Sequence, residues 1–328
     1  MPKTISWKKG MRLSDEIFRT ADAFTAAHIG QALLLGSAGR FGLFPGQSPF
    51  QVSLSLSADF VEVESLDCLG LTRAGHLIDT HWDTRYTSNF DTRVPLPRDG
   101  VQQQYLLIIM TPDGELRETG DGYCEPAYTL ALMRCDSTLP DNALPLARLV
   151  YNYAWQIDDI DFVPPCLFVS SHKAYEDLLT QFINQLIMLD KAATAHINSA
   201  AKQVIRLILP AVRSLRIAAD KQRDTLTPMA LLGMVQQCVS AFVTGCEVDD
   251  NITLDELSEW KNYIAAPYSE HHVHQLIKQG LAVCATIVDK INGLSVATAT
   301  APPPPAPPVS RPTPPPAPPA AKTRIITV

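Results

Sequence analysis

Between about residues 50 and 170, apolar and polar positions alternate with the two-residue period of half-buried strands. Val52, Leu54 and Leu56 interleave with Ser53, Ser55 and Ser57, which predicts a strand with one wet face. Similar runs at 60–63, 66–71, 105–110, 128–133 and 146–151 predict further strands, with turn signals at Ala74-Gly75, Pro112-Asp113-Gly114 and Gly120-Asp121-Gly122. Several short strands at this spacing predict an antiparallel β-sandwich.

Beyond Ser170 the period lengthens. Tyr175, Leu178, Leu179, Phe182, Leu186 and Leu189 fall on one stripe of an amphipathic helix. Ile197, Ala201, Val204, Ile205 and Ile208 form a second stripe before Pro210, which either kinks that helix or begins its successor. Thr227-Pro228 reads as a hydroxyl N-cap followed by proline at the first helical position, and Leu231, Leu232, Val235, Cys238, Val239 and Phe242 supply the stripe. A short helix is predicted from Thr253 to Trp260, and a last one after Pro267 carries Val273, Leu276, Ile277, Leu281, Cys284 and Ile287. The predicted fold class is therefore α+β by domain: an N-terminal antiparallel β-sandwich over 1–170, then an α-helical bundle over 171–293. A Pro-rich linker over 294–321 and a β-prone peptide over 322–328 follow.

Composition narrows the function. A chain of 328 residues with 46% hydrophobic and 19% charged residues is globular and long enough for two cores. The net charge is −7 and the 27 Lys and Arg are scattered, so no basic surface for nucleic acid is expected. The apolar runs, such as 106–110, are strand-length and fall short of the ~20 residues that cross a bilayer, so the chain is not expected to span a membrane. The basic N-terminus is not followed by an apolar segment, which predicts a cytoplasmic location. Seven cysteines without a Cys-x-x-Cys pair read as buried small hydrophobes.

The chain has no nucleophile elbow, phosphate loop, dinucleotide glycine fingerprint or paired-histidine metalloprotease helix. In His271-His272-Val273-His274, only His271 and His274 share a helical face, so this run reads as a polar cluster at a helix start and not as a metal site. Asp158-Asp159-Ile160-Asp161 lacks the order of a calcium loop and reads as a solvated turn. No catalytic residue, cofactor or metal is expected. Trp7, Phe18 and Phe24 suit either a core or an interface.

The opening Ile5-Ser-Trp7-Lys-Lys-Gly10-Met11-Arg-Leu13-Ser-Asp-Glu-Ile-Phe18 resembles that of the TssK baseplate subunits of type VI secretion systems. So does the order and spacing of Leu144-Pro145-Leu146-Ala147-Arg148-Leu149 and Asp161-Phe162-Val163-Pro164-Pro165-Cys166-Leu167. Leu226-Thr-Pro228-Met-Ala-Leu231-Leu232 and Pro267-Tyr268-Ser-Glu-His271 are similar to the family's proline-led helix and its Pro-Tyr segment. The resemblance implies a phage-derived shell domain like the shoulder of phage receptor-binding proteins, docking on the wedge proteins TssF and TssG, and a helical domain through which three copies join. It stops near Gly293, where the Pro-rich tail replaces the family's C-terminal membrane-complex-binding domain.

On this reading the chain is a structural baseplate adaptor, a homotrimer linking the wedge to the membrane complex at the inner face of the inner membrane. The alternatives are a receptor-binding protein of a phage tail or contractile injection machine, and an enzyme with an unrecognised site. Trp7, Gly10, Met11 and Phe18 are the wedge-binding candidates. The helical stripes exceed what one small bundle needs, which makes Tyr175, Leu179, Phe182, Leu186, Ile197, Val204 and Ile208 the trimer-interface candidates. Twelve of the 26 prolines lie in 301–320, a spacer of about 60 Å at ~3.1 Å per residue. The peptide beyond it offers Ile325, Ile326 and Val328 for docking on a membrane-complex protein by strand addition. Two other readings of the tail are Pro-x-x-P repeats as the ligand and a passive extension.

Overall fold

The computed structural model describes residues 5, 8, 9, 11, 12, 14–46, 48–83, 91–97, 103–111, 116–118, 124–158, 162–197, 202–248, 256–270 and 272–297. Helix α1 (Asp15–Gly36) leads into β1 (Gly42–Leu43), β2 (Gln51–Leu56), β3 (Phe60–Leu71), β4 (Leu77–Asp83) and β5 (Arg93–Pro95). Strands β6 (Gln103–Met110), β7 (Leu116–Glu118), β8 (Cys124–Pro126), β9 (Thr129–Arg134), β10 (Ala143–Tyr151) and β11 (Trp155–Ile157) follow. A 3-10 turn (Val169–Ser171) precedes α2 (Lys173–Ala195), α3 (Lys202–Lys221), α4 (Pro228–Val248), α5 (Leu257–Ile264) and α6 (Val273–Ala297).

Two antiparallel sheets make the first half. In one, β3 is the central strand, with β2 and β1 end to end along one edge and β4 and β5 along the other. The second runs β11-β10-β6-β9, and β7 pairs with β8 as a separate hairpin. The expected strands at 60–63 and 66–71 are one strand. Ser53 pairs with Ser65 but Leu54 with Val63, so Glu64 bulges out and the alternation shifts phase there. Val61 and Val63 before the bulge, and Leu66 and Cys68 after it, consequently all face the core. A second bulge lies between Pro145 and Ala147 of β10, where a proline is tolerated because the ladder is already interrupted.

In the second half α2, α3, α4 and α6 pack in a ring, and α5 lies against α4 and α6. The Nδ1 of His172 accepts from the Ala174 N–H at 3.1 Å and caps α2, while the Thr227 hydroxyl accepts from the Ala230 N–H at 3.2 Å and caps α4. Pro210 neither ends nor begins a helix. It sits on the exposed side of a continuous α3, where the carbonyl four residues earlier can be hydrated.

The expectation that every apolar run is strand-length is corrected by α4. It is 21 residues long and reaches a mean hydropathy of 1.5, enough by length and composition to cross a membrane. Ten of its residues are buried, however, among them Leu231, Leu232, Val235 and Phe242, and its neighbours α3, α5 and α6 account for that apolarity.

The halves meet at 163–175. The Leu43 N–H donates to the Pro165 carbonyl at 2.8 Å, and the Leu43 carbonyl accepts from the Leu167 N–H at 2.9 Å. Gly42 there has φ +136°, and a Cβ would lie 2.5 Å from the Pro165 oxygen, so only glycine fits. The Val169 N–H donates to the Leu226 carbonyl at 2.7 Å, and Arg73 reaches Glu270 at 3.5 Å. One connected set of buried side chains runs from the sandwich into the bundle.

Candidate interaction surfaces

Helix α1 starts after Ser14, with Asp15 and Glu16 in its first turn complementing the helix dipole. It ends at a turn in which the Ser37 N–H donates to the Leu33 carbonyl at 2.9 Å and the Gly39 N–H to that of Leu34 at 2.7 Å, with Gly39 at φ +75°. Its one buried residue is Gly30. A Cβ there would overlap the Gly75 carbonyl oxygen, and Leu34 lies against Gly75 in the turn between β3 and β4, so a glycine–glycine approach attaches the helix to the sandwich. Apolar side chains remain uncovered: Phe18 is 50%, Ile29 51% and Leu35 83% exposed. From 23 to 36 the helix carries no Asp, Glu, Lys or Arg.

The sequence-predicted residues separate. Trp7 and Gly10 lie outside the described residues, as do Ile325, Ile326 and Val328. Met11 is half-buried, its N–H donating to the Lys8 carbonyl at 3.1 Å, and Phe18 is out in water on α1. The trimer-interface candidates need correction. Tyr175, Leu179, Phe182, Leu186, Val204 and Ile208 are at most 1% exposed, so this chain's own bundle uses up the stripes that suggested a surplus. Ile197, at 41%, is the member of that set that another chain can reach.

Two polar clusters also differ from expectation. Asp158 is not in a solvated turn: Arg148 donates to it through Nε at 2.8 Å, with both side chains largely buried, while 159–161 lie outside the described residues. His274 is buried, edge-on to Tyr175 at 5.6 Å between ring centres, and His272 Nδ1 lies 3.3 Å from the Ser269 hydroxyl, each in a structural contact. His271 lies outside the described residues.

Among the described residues, no group of three or more His, Cys, Asp or Glu could hold a metal ion. Burial pushes the Cys68 thiol up to about 12 and Cys166 well up, which removes the thiolate that a nucleophile needs. A cleft of about 460 Å³ is lined by Gly46, Ser48, Asp67, Cys68, Leu69, Asp79 and Thr80, none of which pairs a nucleophile with a base. The charged contacts between the halves are structural too. Burial raises the Glu270 carboxyl and Arg73 opposes that, while Tyr268 nearby is pushed up to about 12 by burial.

Sequence reasoning put Phe18 of α1 among the wedge-binding candidates but did not extend the exposed apolar set to Ile29 and Leu35. The apolar residues of α1 occur all round the helix, so it lacks the stripe that periodicity detects. The signal that was available is the uncharged stretch from 23 to 36 together with the unrelated glycines 30 and 75, which the fold brings together.

No protein-family model and no curated protein matches the sequence. Solved structures do. A chain in a cryo-electron-microscopy structure of the TssK-TssF-TssG baseplate subcomplex of a type VI secretion system is 16% identical with a TM-score of 0.58, over 88% of this chain and 100% of that one. A crystal structure of TssK is 12% identical with a TM-score of 0.59, over 86% of this chain and 69% of that one. TssK from the type VI secretion system of EAEC, bound to a nanobody, is 15% identical with a TM-score of 0.55, over 84% and 69%. Over 84–88% of its length the chain shares the fold of these structures.

Proposed function

We propose that the chain is a structural subunit of a type VI secretion baseplate, an adaptor that holds other proteins and turns over no substrate. The observation that carries this reading is the likeness of 88% of this chain to the full length of a chain in a TssK-TssF-TssG baseplate subcomplex. By analogy, its wedge partners are TssF and TssG, and its place is the cytoplasmic baseplate at the inner face of the inner membrane.

The self-association expected of such an adaptor is a homotrimer. Because the bundle stripes are satisfied internally, helix α1, which leaves Phe18, Ile29 and Leu35 exposed, is the element that best suits it. The tail is the element proposed to meet the membrane complex. Co-expression with cognate TssF and TssG tests the reading: the three proteins should co-purify, and light scattering on this chain alone should give three copies. A chain that stays monomeric and passes TssF and TssG without binding would overturn it.

A further inference from the structure

Strand β2 closes one side of the first sheet. One of its edges pairs with β3, and along the other no described strand pairs. Soluble proteins normally block such an edge with a charge, a proline or a bulge. β2 has none of these. Its residues are Gln-Val-Ser-Leu-Ser-Leu, and the nearby bulge belongs to β3. The other outer strands are handled differently: the Asp79 N–H of β4 donates to the Tyr128 hydroxyl at 3.2 Å, β9 runs beside β5 and ends at the Arg134–Asp136 pair, and β11 is only three residues long. Val52, Leu54 and Leu56 are left half-buried, so one more strand would complete their cover.

We propose that the edge of β2 away from β3, along which no described strand pairs, is a strand-acceptor site whose occupant is the chain's own segment 322–328. That segment, Lys-Thr-Arg-Ile-Ile-Thr-Val, has five β-branched residues in seven and places Ile326 and Val328 on one face in an extended strand. Its cations Lys322 and Arg324 would meet a sheet whose neighbouring strand β3 carries Glu62, which also pairs with Arg93, and Glu64 and Asp67.

The linker is long enough. β2 begins at the meeting of the two halves, where Phe50 stacks 5.7 Å from the His172 ring at the head of α2. α6 starts at the same place, with His274 against Tyr175. Its 25 residues carry its other end about 37 Å away at ~1.5 Å per residue. The 24 residues 298–321, at ~3.1 Å each, span about 70 Å and can return to β2. The site competes with a membrane-side partner for the same peptide.

Hydrogen exchange on the full chain and on a deletion of 322–328 tests this without any other protein. The deletion should speed exchange of the β2 amides at least tenfold and leave α2 and α4 unchanged. Synthetic peptide 322–328 added to the deleted chain should restore protection, and Ile326→Asp in the full chain should mimic the deletion. Ser55→Lys, at an exposed position of β2, should do the same from the acceptor side. Equal β2 exchange in full and deleted chains would overturn the proposal. So would protection that rises with protein concentration in both, which marks a second copy as the occupant.

Discussion

Helices α1 and α2 are nearly the same length, 22 and 23 residues, yet α1 buries one residue and α2 eight. α2 gathers its apolar side chains on a stripe that faces α3 and α6, with Tyr175, Phe182, Leu186 and Leu189 inward. α1 spreads its own around the axis and meets the sandwich at Gly30. In α2 the periodic side chains are buried by this chain itself. α1, without that periodicity, leaves large apolar side chains in contact with solvent.

Three measurements test this contrast. The largest effect is expected for Phe182→Ala, which empties the fully buried centre of α2 and should cost about 3–5 kcal/mol in denaturant unfolding. Phe18→Ala, half exposed on α1, should change monomer stability by less than about 0.5 kcal/mol while weakening self-association. A comparable loss in both would erase the distinction.

Gly30→Ala should have an intermediate effect. Its methyl group would overlap the Gly75 carbonyl oxygen, so α1 must lift away or the β3–β4 turn must shift, at about 1–3 kcal/mol. Exchange should then quicken throughout α1 and stay unchanged in α2. Unchanged exchange in α1 would mean that the helix is held elsewhere.

The smallest effect concerns acid. Burial lowers the His172 pKa, and its neutral Nδ1 caps α2 while its ring stacks on Phe50. The unfolded chain therefore binds this proton more readily than the folded one. The cap's contribution is fully present above the unfolded value of about 6.5 and is lost as pH falls through the lower folded value. His172→Asn, which keeps a capping oxygen without a titrating ring, should flatten this part of the pH–stability curve. A curve that is unchanged by the substitution would assign the acid response to another group.

Much of the fold was legible in the sequence where one residue pattern had one meaning. The serine–leucine alternation of β2, the stripe from Tyr175 to Leu189 and the Thr227-Pro228 cap all appear at the expected places. The phase slip at Glu64 read as a break between two strands, because a bulge and a short turn both interrupt a two-residue period. The interaction surface was less legible. Stripes such as Tyr175, Phe182 and Val204 say that a side chain is buried but not by which chain, and here the chain buries them itself. The Gly30–Gly75 approach joins residues with no sequence relation, and Asp158 looked solvated because its partner Arg148 lies on the neighbouring strand.

The clamp of Leu43 on 165–167 gives the molecule a mechanical character. Two prolines in succession already restrict rotation at 164 and 165, and the paired backbone bonds on Leu43 tie the same segment to the first sheet. The Val169–Leu226 bond and the Arg73–Glu270 contact add anchors away from that axis. A torque on the sandwich must load all of these points together before the halves can swivel. Swivelling the halves against each other would therefore have to break backbone and ion-pair contacts at several points at once.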